Sequence, residues 1–186
     1  RVRPLVANEP LVIAILGTIG TFKGADRLAA CAREAGRVGA ALQFQIIGSA
    51  EGAMPWWPKA PLRQTGPYRD GEVGALIEKV APHVAWFTAQ VPETFSYTLS
   101  EAFEAGLPVV APALGAFPER VRGRPWSWIV DWRMPATEQT NFFLRLRKEH
   151  FIPGTPPIPP AQNEEVPAVK NFYAEDYLPD RVEATV

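Results

Sequence analysis

Short, nearly continuous apolar runs constrain this chain more than any other feature. They are Leu11–Leu16, 83–89 around Val-Ala-Trp-Phe, and 107–111; Leu42–Ile47, which carries Gln43 and Gln45, reads as a further strand ended by Gly48. A strand with one wet face alternates apolar and polar residues. A run without alternation is buried on both faces, which is the habit of parallel sheets covered by helices. The segments between the runs have helical spacing instead. Residues 26–38 put Leu28, Ala29, Ala32 and Ala35 on one face. Residues 72–80 read as a second helix that Asp70 could cap. Residues 94–105 read as a third, stopped by Gly106. A short helix over 118–122 and a longer one over 136–149 follow. Residues 62–65 and 127–132 supply two further strands. This alternation predicts an α/β fold: a Rossmann-like, doubly wound parallel sheet of about six strands. Right-handed crossovers leave few other topologies.

The expected organisation has three parts. Residues 1–10, with Pro4 and Pro10, form a lead-in or interdomain linker. Residues 11–150 form the Rossmann-like domain. Residues 151–186 form a proline-rich tail, with Pro153, Pro156, Pro157, Pro159 and Pro160 close together and Phe172, Tyr173 and Tyr177 beyond them. Such a stretch favours extended, polyproline-like backbone over 152–170. The sequence opens on Arg1, which reads as a piece of a longer protein.

Charge and composition exclude several classes. A net charge of −1 gives no broad field for nucleic acid or anionic lipid. One cysteine and two histidines leave little for a disulfide or a metal cluster. No apolar run is long enough for a transmembrane segment, and no signal peptide is evident. The expected location is cytoplasmic, with peripheral membrane association left open for a longer chain.

In open α/β sheets ligands bind at the carboxyl ends of the strands. Two loops there carry chemistry. The first is Gly17-Thr18-Ile19-Gly20-Thr21-Phe22-Lys23-Gly24. Its glycines let backbone approach a ligand, and a helix N-terminus follows with unpaired N–H groups. Lys23 adds a point charge suited to phosphate. The loop matches neither the P-loop nor G-x-G-x-x-G. Taken alone it reads more readily as an ordinary strand-to-helix turn with a solvated lysine.

The second is Pro92-Glu93-Thr94-Phe95-Ser96-Tyr97-Thr98-Leu99-Ser100-Glu101, continuing to Gly106-Leu-Pro-Val-Val110. Phe95, Leu99 and Phe103 have the spacing of a core face, which leaves Thr94, Tyr97, Thr98 and Glu101 on another. At helical rise, eight residues would separate Glu93 from Glu101 by roughly 12 Å. Free N–H groups of the first turn would lie between. An extended ligand with a central anion and a hydroxyl-rich group at each end suits that layout. A pair of solvated helix glutamates is the plainer alternative.

This second stretch resembles the Glu-x7-Glu segment of retaining glycosyltransferases with the GT-B fold, in the large grouping called family 4. Gly17 to Gly24 is similar to that family's glycine-rich Lys-Gly loop, and Gly115-Ala116-Phe117-Pro118-Glu119 to its Gly-Gly-x-x-Glu segment. The likeness covers roughly residues 10–150. It implies a donor-binding domain for a nucleoside diphosphate sugar, with no other cofactor and no metal. It implies further that an acceptor-binding domain lies outside this sequence and that the chain is inactive alone. Gly17, Thr18, Gly20, Lys23 and Gly24 would face the diphosphate. Backbone at Ser96, Tyr97 and Thr98 would hold phosphate. Glu93 would contact the donor sugar as the catalytic-site carboxylate, and Glu101 the ribose. The base would sit near 66–69. Thr18 and Ile19 stand where the family has an arginine, Ser96 where it often has glycine, and Ala116 where it has a second glycine. Two other functions fit the same features: a non-catalytic nucleotide-sugar-binding or scaffold module, and a sugar-nucleotide epimerase on the same fold.

Other residues read as structural. Trp56-Trp57 suit a core edge or interface. Trp126, Trp128 and Trp132 alternate as one buried face of a strand. His83 and Cys31 read as core residues, and Arg120, Arg122 and Arg124 as surface charges.

Overall fold

The computed structural model describes residues 2–51, 60–69 and 71–157. Asp70, Trp56-Trp57 and the tail beyond residue 157 lie outside the described residues. Six strands form one wholly parallel sheet: β1 Leu11–Leu16, β2 Leu42–Ile47, β3 Leu62–Gln64, β4 Val84–Trp86, β5 Val109–Pro112 and β6 Ser127–Val130. Their spatial order is β3-β2-β1-β4-β5-β6, the Rossmann order.

Five helices cover the sheet: α1 Ala25–Val38, α2 Val73–Val80, α3 Tyr97–Glu104, α4 Phe117–Val121 and α5 Ala136–Leu146. The pleat of β1 explains why its whole run is apolar. Leu11, Ile13 and Ile15 join α1 and α5 on one face. Ala14 and Leu16 join α2, α3 and α4 on the other. Buried on both sides, β1 has no position where a polar side chain would reach water.

The strands after β3 are shorter than expected. The run over 83–89 pairs only at Val84–Trp86, and 127–132 only at Ser127–Val130. Apolar character marked burial, whereas strand length is set by which neighbours remain in register. Trp126 stands before β6 at φ 57, off the strand, while Trp126 and Trp128 both pack on the core. Cys31 is buried beside Thr140 as expected, and burial pushes its thiol up to about 11.

Both ends of the described chain are fastened to the domain. In the lead-in, Leu5 is buried, and Arg147 donates to the carbonyls of Ala7 and Glu9. After α5 a wider π turn runs over Arg147–Phe151. Phe151 is buried against Trp126, Trp128 and His83, so the folded unit includes this residue of the expected tail. The described part of 152–170, residues 152–157, contains neither helix nor strand.

His83 is fully buried at the amino end of β4, away from the carboxyl-end loops. Its Nδ1 accepts the Val12 N–H at 3.0 Å. Burial, then the nearby Arg3 charge, lowers the imidazole to about 4. The ordinary value is near 6.5. Between those values the unfolded chain binds a proton that the folded chain refuses. Stability therefore falls as pH drops below about 6.5, and this loss is complete near pH 4. His83→Gln should flatten that part of the Tm-against-pH curve. Parallel curves for wild type and variant would remove His83 as the cause.

Candidate functional site

The strand order reverses direction of winding between β1 and β4. There the loops leaving adjacent strands part to opposite faces and open a crevice at their carboxyl ends. The loop after β1 and the segment after β4 are the two that carry the candidate residues. Topology thus brings residues 17–24 beside residues 87–98.

The first loop is built against β2 and β4. Ile19 is buried and bridges to Ala50, its N–H donating to the Ser49 carbonyl at 2.8 Å. Thr18, beside it, is exposed. Gly20 precedes a 3-10 turn, Thr21–Lys23, which feeds α1. Gly24 lies at φ 79, and a Cβ there would sit 2.1 Å from the Thr88 carbonyl oxygen. Its bareness serves the packing of one loop on the other. The Thr88 hydroxyl donates to the Lys23 carbonyl, the Gln90 N–H to Phe22 at 3.0 Å, and the Gln90 amide to the Asp26 carboxylate. Gly17, at φ 94, would place a Cβ 3.3 Å from Thr98 Cγ2. Small residues at 17 and 24 therefore let the two loops close on each other.

The second segment is held from α4 and the turn before it. Gly115, at φ 55, lies so close that a Cβ would meet the Glu93 carbonyl at 2.6 Å and its nitrogen at 2.7 Å. Ala116 N–H donates to the Glu93 carbonyl at 2.9 Å. Ser96 stands at φ 62, ψ 88, the left-handed region, and begins α3 without a side-chain cap. Its hydroxyl lies 3.4 Å from that of Thr98.

An open cleft of about 290 Å³, counting space open to solvent, lies between the two loops. Lys23, Glu93 and Thr98 line it together with Thr88, Ile19 and Phe117. The cleft therefore contains a cation, a carboxylate, hydroxyls and the start of a helix. α3 spans eight residues, and the N–H groups at its start, together with its dipole, favour an anion there. Glu101 is half-buried on α3, one turn beyond Tyr97.

Several expectations are corrected here. The third helix begins at Tyr97 rather than residue 94, because Ser96 turns left-handed first. Only the stretch from Tyr97 to Glu101 advances at helical rise, so the 12 Å spacing of the two glutamates does not apply. Phe95 precedes the helix and is 47% exposed, meeting edge-on the ring of Tyr97, which is 80% exposed. Only Leu99 of the expected apolar face is fully buried, joined by Ala102. Arg120 and Arg124 are not loose surface charges. Arg120 donates to the Phe95 and Ser96 carbonyls and to Ser100, and Arg124 lies 3.8 Å over the Phe103 ring. Thr88, Gln90 and Arg120 organise the site without having stood out in the sequence. The available signal was the crossover order, which sets α3 and α4 side by side on one face.

Among the described residues no group of His, Cys, Asp and Glu could hold a metal ion, and no helix is long and apolar enough to cross a membrane.

No family model matches the chain, and no curated protein matches it in sequence. Solved structures do match. HepE from Anabaena, solved with UDP and glucose, aligns with a TM-score of 0.58 at 16% identity, over 77% of this chain and 40% of its own. WaaB, a lipopolysaccharide outer core galactosyltransferase, aligns at 0.58 and 17%, over 81% of this chain and 45% of its own. The C-terminal domain of the glycosyl transferase group 1 family protein LpcC from Francisella tularensis aligns at 0.55 and 17%, over 76% of this chain and 78% of that domain. This chain thus has the Rossmann-like fold of one half of a GT-B glycosyltransferase. It spans about two fifths of the length of HepE.

Proposed function

We propose that this chain is the donor-binding domain of a retaining glycosyltransferase, acting with an acceptor-binding domain outside this sequence. One observation carries the reading: the two loops at the β1/β4 crevice place Lys23, Glu93 and Thr98 around one cleft. A nucleoside diphosphate sugar suits that set. Its diphosphate would lie between Lys23 and the first-turn N–H groups at Ser96, Tyr97 and Thr98. Negative charge grows on the diphosphate as the sugar leaves, and fixed donors at the cleft would stabilise it. Glu93 would orient the sugar through its hydroxyls. Glu101, a turn further on, would accept the ribose hydroxyls. HepE, solved with UDP and with UDP-glucose, supports this class of ligand.

Binding without transfer is a second reading, and one observation favours it. Thr18 supplies no charge where the family resemblance implies an arginine, so Lys23 is the cation lining the cleft among the described residues.

Calorimetry with UDP and with uridine tests the diphosphate contact. Lys23→Ala should weaken UDP roughly 10-fold, the scale of one charge-assisted hydrogen bond, and leave uridine nearly unchanged. Equal weakening of both would mean that Lys23 acts through folding. A thermal-shift panel of nucleotide sugars tests the class as a whole. A ligand at 100 times its Kd adds about 2.7 kcal/mol of stability. Failure of every nucleoside diphosphate sugar to raise Tm would sink the donor-site reading.

A further inference from the structure

Ser96 poses a physical problem. A residue with a Cβ disfavours the left-handed region by roughly 1–2 kcal/mol, yet Ser96 sits there at φ 62, ψ 88. Something must hold it. Arg120, on α4, is the residue that does. Its guanidinium donates to the carbonyl of Phe95 and, at 2.8 Å, to that of Ser96. It also donates to the Ser100 hydroxyl at 2.8 Å and lies 4.1 Å over the Phe95 ring. The two carbonyls belong to the peptides on either side of the Ser96 Cα. Fixing both fixes the φ and ψ of Ser96.

The same grip has a second consequence. The chain has no cis peptide among the described residues, and in a trans peptide the N–H points opposite to the C=O. Both carbonyls turn toward Arg120, so the N–H groups of Ser96 and Tyr97 turn away from it. Successive N–H groups set by a left-handed residue at a helix start form an anion-binding concavity. A cation behind the two peptides also polarises them, which strengthens the positive side that the N–H groups present.

We propose that Arg120 is a positioning residue that holds and polarises this backbone nest for the diphosphate of the donor. The proposal rests on the donor-site reading for its ligand, though not for the clamp itself. Arg120 does not touch the ligand. It acts through the Phe95–Ser96 and Ser96–Tyr97 peptides. It does for a serine at position 96 what a glycine would do without help.

Two measurements test it. In the first, UDP and uridine are titrated against wild type, Arg120→Met, Ser96→Gly and the double variant. Arg120→Met should weaken UDP about 10-fold or more, the scale of a charged hydrogen-bond pair lost, and change uridine by less than about 2-fold. Ser96→Gly should return part of that loss in the double variant, because glycine enters the left-handed region freely. Equal weakening of UDP and uridine, or no gain from glycine, overturns the proposal. The second uses ligand-free protein and amide exchange. Leu99 N–H bonds to the Ser96 carbonyl at 3.1 Å, so it reports the clamp directly. Arg120→Met should speed its exchange about 10-fold while β1 and β4 amides keep their rates. Unchanged exchange at Leu99 overturns the clamp. If wild type binds no UDP while Leu99 responds as expected, the clamp stands and the donor-site reading with its diphosphate role falls.

Discussion

Mixed with candidate nucleotide sugars and a broad set of acceptors, the 186-residue chain should give no multiple-turnover transfer. Transfer needs donor and acceptor held in a near-attack arrangement, worth about 7–11 kcal/mol, or some five to eight orders of magnitude in effective concentration. The described residues form one sheet with one crevice, and every candidate donor group lies on that side. The same preparation should still bind UDP, which separates a competent fold lacking its partner domain from a dead one. Product would be sought by mass spectrometry. Robust turnover by the chain alone would overturn the donor-domain reading, because acceptor and donor sites would then share this one domain.

The second large effect is on stability. Gly24→Ala should lower the unfolding free energy by about 2–5 kcal/mol. About 1–2 comes from forcing a Cβ into the left-handed region, and about 1–3 from overpacking. The overlap is with backbone: the new methyl would lie 2.1 Å from the Thr88 carbonyl oxygen, which no rotamer change relieves. The loops after β1 and β4 would be pushed apart, so ligand affinity at the cleft should fall with stability. Gly39→Ala is the matched control. Gly39 has φ 62 at the end of α1, and a Cβ there meets nothing within 4 Å. It should cost only the conformational part, about 1–2 kcal/mol. Chemical denaturation of both variants decides the matter. If Gly24→Ala proves no worse than Gly39→Ala, the loop contact at Thr88 is not tight in solution.

Much of this was legible in the chain. Residues buried on both sides of a sheet are mostly apolar, and that made Leu11–Leu16 readable to the residue; Leu42–Ile47 was read with the same bounds although it carries Gln43 and Gln45. Helix periodicity likewise marked α1 within one residue. The positions of Lys23, Glu93 and Glu101 on loops and a helix at the carboxyl ends also followed from sequence, because local glycines and apolar runs mark where strands stop. The strand order, and with it the crevice between β1 and β4, followed only as a fold class.

Tertiary structure alone decided what holds the site. Ser96 turns left-handed because guanidinium and carbonyl groups twenty-four residues apart in sequence meet across α3 and α4. Gly24 and Gly115 are needed because another segment's backbone passes within contact distance, at Thr88 and at Glu93. Local propensity carries no information about such partners. A residue's intrinsic preferences are written in its own side chain and near neighbours, so strands, helices and turns can be read along the chain. Which carbonyl an arginine reaches depends on how helices stack on a sheet, and that is settled only when the whole domain packs.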